Sequence, residues 1–488
     1  MAHSRAASAR PNLSPTDPPP EKTATPAPSR LPGSTRRRAR HTLRLSRHGI
    51  RYAIFLAGAA CVALVSICFA WLAEKALELN LFVMHHARWS SLLLLPLGFA
   101  GLRWLTLRHA AQARGSGIPQ VIAAMDMDSR SKEQRLLVSL PQALWKIVLT
   151  AAGLAIGASI GREGPSVQVG AAVMLAWGLW WHEKTRANSR LRVGFRTDAL
   201  IAAGAAGGLA AAFNTPLAGV VFAIEELGRG SVVKFDRLVM SGVLTAGFVT
   251  LALVGNNSYF RVEHNFLALT HDWGGVLLAG LVNGVLGGCF ARVLLAGAPG
   301  LVPLAWRRAT QLHPFAVAAV CGLLAAVIGL LANDSTYGTG YGQAAALLNG
   351  GGSGSDLFGI AKLASTVLAY IAGLPGGIFT PSLAVGAGIG EHLSAIFPGA
   401  HFNPGLLALL SMAGFLAAAT QAPITATVIT MEMTRSHDLT LMLLAVTLLA
   451  SFVSRQFCPR PFYHSASRGF RREALALGQS SSRAEPGK

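Results

Sequence analysis

The chain has 488 residues, of which 52% are hydrophobic and only 13% charged, too little charge to solvate the surface of a soluble protein this long. Its formal charge of +20 does not single out nucleic acid as a partner, because the largest basic block lies in residues 1–50, with ten Lys/Arg against two Asp/Glu. The five cysteines, Cys61, Cys68, Cys289, Cys321 and Cys458, form no CxxC and are odd in number, which excludes a metal knuckle or disulfide framework and predicts buried apolar thiols.

Residues 1–50 are rich in Pro, Ser and Ala and are expected to form a disordered, basic cytoplasmic tail. Arg36, Arg37, Arg38 and Arg40 stand just ahead of the first apolar run and anchor that end in the cytoplasm. No short apolar stretch with a cleavage site precedes Tyr52, so no removable signal peptide is expected. Apolar runs then follow at Tyr52–Leu72, Ser91–Leu107, Ala143–Ile160, Gly164–Trp181, Leu200–Phe213 and Leu217–Glu226. They continue at Val239–Val254, Val276–Leu295, Ala316–Leu331, Gly359–Ala372 and Ile378–Ile396, and recur to Phe452. A full span needs about 20 residues, so the shorter runs predict helices that stop partway and line a cavity. The class expected is an all-α polytopic membrane protein of tilted and broken helices.

Basic stretches at Arg108–Arg135 and Lys184–Arg196 are expected on the cytoplasmic side. Ala143–Ile160 then rises, the chain turns at Gly161-Arg162-Glu163-Gly164-Pro165, and Ser166–Trp181 descends. Leu200–Phe213 rises again and Leu217–Glu226 descends toward Arg229 and Lys234, which puts Glu163 outside the midplane and Glu226 toward the cytoplasm. An internal repeat is visible. Gly207-Gly208-Leu209-Ala210-Ala211-Ala212-Phe213-Asn214-Thr215-Pro216 matches Gly414-Phe415-Leu416-Ala417-Ala418-Ala419-Thr420-Gln421-Ala422-Pro423, and nine residues after each Pro stands Glu225 or Glu432. Counting spans makes the second copy run opposite to the first, with halves of about 51–230 and 236–466. Inverted halves place a transport site at their interface.

Three Gly-Pro elements carry the chemistry: Gly115-Ser116-Gly117-Ile118-Pro119, Gly161-Arg162-Glu163-Gly164-Pro165 and Gly377-Ile378-Phe379-Thr380-Pro381. Each opens a helix, leaving unpaired N–H groups and partial positive charge. Converging, they would bind a small anion weakly enough to release it, where a full cation would hold it. A carboxylate at such a start, Glu163, can occupy the anion position as a tethered ligand until a proton neutralises it. Two enzyme-like patterns lack their context. Gly157-Ala158-Ser159-Ile160-Gly161 fits a nucleophile elbow but sits at the end of an apolar helix, and Gly338-Thr339-Gly340-Tyr341-Gly342 lacks the lysine of a phosphate loop.

These segments resemble the CLC chloride channels and proton/chloride antiporters over about residues 51–466, with 467–488 a short cytoplasmic tail. Ala212–Gly219, the Glu225-Glu226 pair, Glu432-Met433-Thr434 and Arg460-Pro461-Phe462-Tyr463 add to the likeness. The resemblance implies a CLC-type inverted repeat, a homodimer with one pathway per subunit in the inner membrane, both termini cytoplasmic, no cofactor and no enzymatic activity. It puts the hydroxyls of Ser116 and Tyr463 on the central anion, with Gly117 beside Ser116 and the N–H groups of Ile378 and Phe379 opposite. Glu163 resembles the family's external gate, and Glu226 the acid that antiporters carry to take protons from the cytoplasm. Exchange of chloride for protons is therefore expected, with a passive chloride channel as the alternative. Lys146 matches a family lysine, Arg162 is expected to order the outer vestibule, and Glu432 is expected to be a buried, hydrogen-bonded acid. Ser116 and Tyr463 speak against a fluoride exporter, and the 25 residues after Tyr463 are too few for paired regulatory modules.

Overall fold

A computed structural model describes residues 33–483 apart from 130, 187–193, 230–236, 257, 261, 263–272 and 398–402. Residues 1–32 of the amino tail, Lys234 and the middle of the Lys184–Arg196 stretch lie outside the described residues. The helices run in order α1 Gly33–His86, α2 Ser91–His109, α3 Ile118–Met125, α4 Lys132–Leu137, α5 Leu140–Ala155 and α6 Glu163–Lys184. Then come α7 Thr197–Phe213, α8 Pro216–Phe222 with a π-helical turn at Ala223–Leu227, α9 Arg237–Val254 and α10 Trp273–Leu301. The remainder are α11 Leu304–Leu312, α12 Pro314–Leu331, α13 Tyr341–Leu348, α14 Phe358–Ile371, α15 Phe379–Ile396, α16 Pro404–Thr420, α17 Pro423–Thr434, α18 Thr440–Phe457 and α19 Phe462–Arg483. No strand occurs among the described residues, only two isolated bridges.

Seven helical stretches among the described residues are long and apolar enough to cross a membrane, while α7, α14 and α16 are apolar but shorter. Two of the short ones lie deepest. α7 and α16 are buried on nearly every side, which an apolar helix ringed by Gly and Ala permits. Gly170 and Gly204 leave room for α6 and α7 to touch backbone to backbone, and Gly386 and Gly390 do the same for α15 against α16. The alanines of the repeat, Ala210–Ala212 and Ala417–Ala419, are buried packing residues.

Two terminal expectations differ from what is described. The first helix begins at Gly33, within the stretch expected to be disordered, and residues 467–483 continue α19 instead of trailing free. Arg114 bridges to Glu473 at 2.6 Å and stacks over Phe470, which ties α19 down beside the α3 entrance. Of the cysteines, Cys321 and Cys458 are buried as expected. Cys68 and Cys289 point outward from α1 and α10, because an apolar thiol is as well solvated by lipid as by a core.

The inverted repeat is deeper than the sequence match. Lys146, Gly161 and Pro165 have counterparts at the same mutual spacing in Lys362, Gly377 and Pro381. Lys146 Nζ donates to the carbonyls of Ala113 and Gly115 at 2.7 and 2.6 Å, and Lys362 Nζ to those of Thr336 and Gly338 at 2.8 and 2.6 Å. Each loop bends through two left-handed glycines, Gly115 and Gly117 in one half, Gly338 and Gly340 in the other, before an eight-residue helix. Gly338–Gly342, read above as an incomplete phosphate loop, is thus the twin of the Ser116 loop.

The Glu225/Glu432 spacing also has a structural meaning. Asn214 and Gln421, both left-handed, end α7 and α16, and proline restarts α8 and α17. Glu225 then accepts from the N–H groups of Ile424 and Thr425 at 3.2 and 2.6 Å, and Glu432 from those of Leu217 and Ala218 at 3.2 and 2.7 Å. Each half caps the helix start of the other. Charge-assisted bonds of this kind are worth about 1.5–3 kcal/mol. Replacing either Glu225 or Glu432 by Ala is expected to lower the midpoint of thermal unfolding in detergent by several degrees, and Gln to recover part of the loss by accepting one N–H; unchanged midpoints would contradict the cross-capping.

Candidate functional site

The three Gly-Pro elements meet. Gly161 and Gly377 exchange both backbone hydrogen bonds, Gly161 N to Gly377 O at 2.8 Å and Gly377 N to Gly161 O at 2.7 Å, an antiparallel bridge between equivalent points of the two halves. Gly115 N donates to Leu374 O at 3.1 Å and Gly376 N to Gly115 O at 3.0 Å, which locks the Ser116 loop to the same strand of backbone. Glycine is required by contact as well as by dihedral. A Cβ at Gly164 would collide with Ser116 Oγ and one at Gly377 with Gly164 N. The helix starts of α3, α6 and α15 therefore face a common point, with N-caps at Gly117, Arg162 and Ile378 that offer no side-chain cap. Their free N–H groups point inward, which is the arrangement that favours an anion.

The side chains at that point are polar, buried and unsatisfied. Ser116 is 1% exposed and Tyr463, at the start of α19, is fully buried; their hydroxyls face each other, and neither makes a hydrogen bond of ordinary geometry. A serine whose hydroxyl merely capped α3 would bond an N–H of the first turn; Ser116 Oγ does not. Tyr463 is stacked on Phe379, ring centroids 6.0 Å apart, so its hydroxyl is held in place by a ring that itself begins α15. Glu163 is fully buried with both carboxylate oxygens unpartnered, folded back over Gly161 beside Pro381. Unpaired buried polar atoms are costly, and so many at one point indicate a place built to receive a ligand. Ser116, Gly117, Glu163, Ile378, Phe379 and Tyr463 are thus brought together. Lys146 stands one peptide behind the Ser116 loop, its ammonium bound to Ala113 and Gly115 carbonyls instead of pointing at the site.

Glu226 lies near Tyr463, close enough to it for a direct electrostatic interaction, and is 1% exposed with both oxygens unpartnered. Consecutive residues of a helix point about 100° apart, so Glu225 reaches the start of α17 while Glu226 turns inward. His464, which the sequence reading passed over, sits against it, with Nε2 3.0 Å from the Glu226 carbonyl oxygen and 3.9 Å from its Oε1. Only its place next to Tyr463 could have drawn attention to it.

Outside the convergence, Arg162 donates to Ala70 O at 2.5 Å and pairs with Glu74 at 3.0 Å. It lines a cavity of about 490 Å³ with Glu74, Asn214, Tyr259, Thr339 and Tyr341. Arg162 therefore orders a vestibule above Glu163, with its charge shared with Glu74. Ser159, in the elbow-like pattern, pairs with Thr366 Oγ1 at 2.8 Å, with neither His nor Asp bonded to it.

Gly164→Ala would push Ser116 out of line. Overpacking costs about 1–3 kcal/mol, so anion flux should fall roughly tenfold or more while the protein remains monodisperse; flux equal to wild type would show that the two segments do not meet as described.

The family profile described as "Voltage gated chloride channel" matches residues 98–455. The "H(+)/Cl(-) exchange transporter ClcA" of Cronobacter sakazakii is 31% identical over 431 residues, spanning 84% of this chain and 86% of that protein. That of Vibrio cholerae serotype O1 is 32% identical over 376 residues, 75% of this chain and 76% of its own. Among solved structures, a slow cyanobacterial Cl-/H+ antiporter superposes with a TM-score of 0.70 at 23% identity, covering 87% of this chain and 98% of that one. A CLC-type fluoride/proton antiporter gives 0.66 at 22%, covering 84% and 96%; at these identities the two structures speak to fold alone. With the profile spanning most of the chain and the helix starts meeting at one buried point, the chain belongs to the voltage-gated chloride channel (CLC) family.

Proposed function

We propose that this chain exchanges chloride for protons across the membrane. The observation that carries the reading is the pair of buried, unpartnered carboxylates, Glu163 and Glu226, both within electrostatic reach of Tyr463. The relatives at 31 and 32% identity are named H(+)/Cl(-) exchange transporters, which supports chloride as the anion.

The residues divide the work as follows. Chloride accepts from the Ser116 and Tyr463 hydroxyls and from the N–H groups of Ile378 and Phe379, with Lys146 supplying background potential. Ionised Glu163 competes for the converging helix starts as a tethered anion. A proton taken up at Glu226 and passed on to Glu163 neutralises it, the attraction of the helix starts for it falls, and chloride takes its place. Release of that proton to the vestibule restores the carboxylate and displaces chloride, so the two ions move in opposite directions. No cofactor takes part. A passive channel would need no inner acid, and Glu226 is withdrawn from solvent rather than left at a hydrated helix end.

The same proposal includes a homodimer in the inner membrane with both termini in the cytoplasm. The positive-inside bias of Arg36–Arg40 and Arg108–Arg135 supports the orientation. Leu217, Ile224 and Ile424 lie beside the Glu225 and Glu432 caps and are 53, 55 and 49% exposed, a continuous apolar face that a second copy could cover.

In liposomes with an imposed chloride gradient, the wild-type protein is expected to move protons uphill. Glu163→Gln and Glu226→Gln should each reduce proton movement about a hundredfold or more while chloride still flows. Chloride flux with no proton movement in the wild type would make the protein a passive channel, and absence of chloride flux would refute the reading.

A further inference from the structure

We infer that His464 is the proton donor to Glu226, the group through which protons from the cytoplasm reach the buried relay; this rests on the antiport reading above. Glu226 is enclosed, with 1% of its surface exposed, and its two oxygens bond to nothing in the protein. A partly exposed proton-carrying side chain stands next to it, the imidazole of His464, with Nε2 3.9 Å from Glu226 Oε1 and the side chain 21% exposed. It therefore touches both the buried acid and solvent. Because a carbonyl oxygen can only accept, the 3.0 Å contact from Nε2 to Glu226 O fixes the hydrogen on Nε2. Nδ1 is then the position open to a proton from water.

The step balances without any further reactant. Hydronium delivers a proton to Nδ1, giving the imidazolium and water; the two side chains then close the 3.9 Å between Nε2 and Glu226 Oε1 to hydrogen-bond distance and the Nε2 proton passes across, giving a neutral carboxylic acid and a neutral imidazole protonated on Nδ1. Proton exchange with water then restores the starting tautomer. Imidazole changes charge between about pH 5 and 8, where such a donor is most useful. The charged and titratable groups around it are Glu226 and Arg229 from the π turn and the residues after it, Asp126 at the end of α3, and Tyr463 and Arg468 on its own helix. Burial opposes the imidazolium most and, with Arg229 and Arg468, outweighs the Glu226 carbonyl and Asp126 that favour it, so the group sits below the ordinary histidine range and gives its proton up readily.

His464→Gln keeps an N–H for the Glu226 carbonyl but carries no proton, so it separates relay from positioning. In liposomes, the inference predicts proton-coupled exchange about tenfold slower at pH 7.5 and much closer to wild type at pH 5, where the higher proton concentration offsets the loss of the donor. In His464→Gly, added imidazole should restore the rate at pH 7.5. Wild-type rates in His464→Gln, or a slowing that is the same at every pH and insensitive to imidazole, would overturn the inference while leaving antiport intact. Absence of proton movement in the wild type would instead remove the antiport reading, and the inference with it.

Discussion

Much of this molecule hangs on two hydrogen bonds, the mutual pair between Gly161 and Gly377. They join equivalent positions of two inverted halves across the axis that relates them, deep in an apolar interior where backbone groups must find partners. Once that bridge is closed, α6 and α15 must begin at the same depth from opposite sides, and their starts cannot avoid each other. The Ser116 loop is then brought in by Gly115 through its bonds to Leu374 and Gly376. Only glycine could stand at these crossings, since a single methyl at Gly164 or Gly377 would meet backbone or hydroxyl. The convergence of three helix starts at one point is therefore a consequence of how the halves are tied together.

The same symmetry is used twice more, and for different ends. Lys146 and Lys362 make the same bonds to equivalent carbonyls, yet one braces the loop that carries Ser116 and the other a loop whose Thr339 and Tyr341 line the cavity beside Arg162. Glu225 and Glu432 fasten the halves by capping each other's helices. Function then enters where symmetry is broken. Glu163 stands where the second half has Phe379, and Glu226, next to a capping acid, has no acidic counterpart beside Glu432, which is followed by Met433. A carboxylate stands in one half where the other has a phenyl ring.

Much of this was legible in the sequence because the site is made of backbone breaks. Gly and Pro announce helix starts wherever they stand, so the three elements, the acid in one of them and the Glu225-Glu226 pair could all be located. Contacts that join distant segments left no such trace. Lys362 sits in an apolar run that looks like any other, and Gly338–Gly342 reads as a failed phosphate loop until its bonds to Lys362 are seen. The nine-residue spacing of Glu225 and Glu432 from their prolines showed a repeat but not that each caps the opposite copy. His464 has no periodicity or partner in sequence, and the helical course of residues 33–49 and 467–483 is masked by polar, charged composition.

The central claim is that a small anion binds between Ser116 and Tyr463, at the point where α3, α6 and α15 begin. Crystals of the Glu163→Gln protein grown in bromide would test it most directly, since bromide replaces chloride and can be located by its anomalous scattering. The account predicts an anomalous peak within hydrogen-bond distance of Ser116 Oγ and the Tyr463 hydroxyl, lost in Tyr463→Ala. Well-ordered crystals with no peak there, or a peak bound instead to a lysine or arginine side chain, would contradict it.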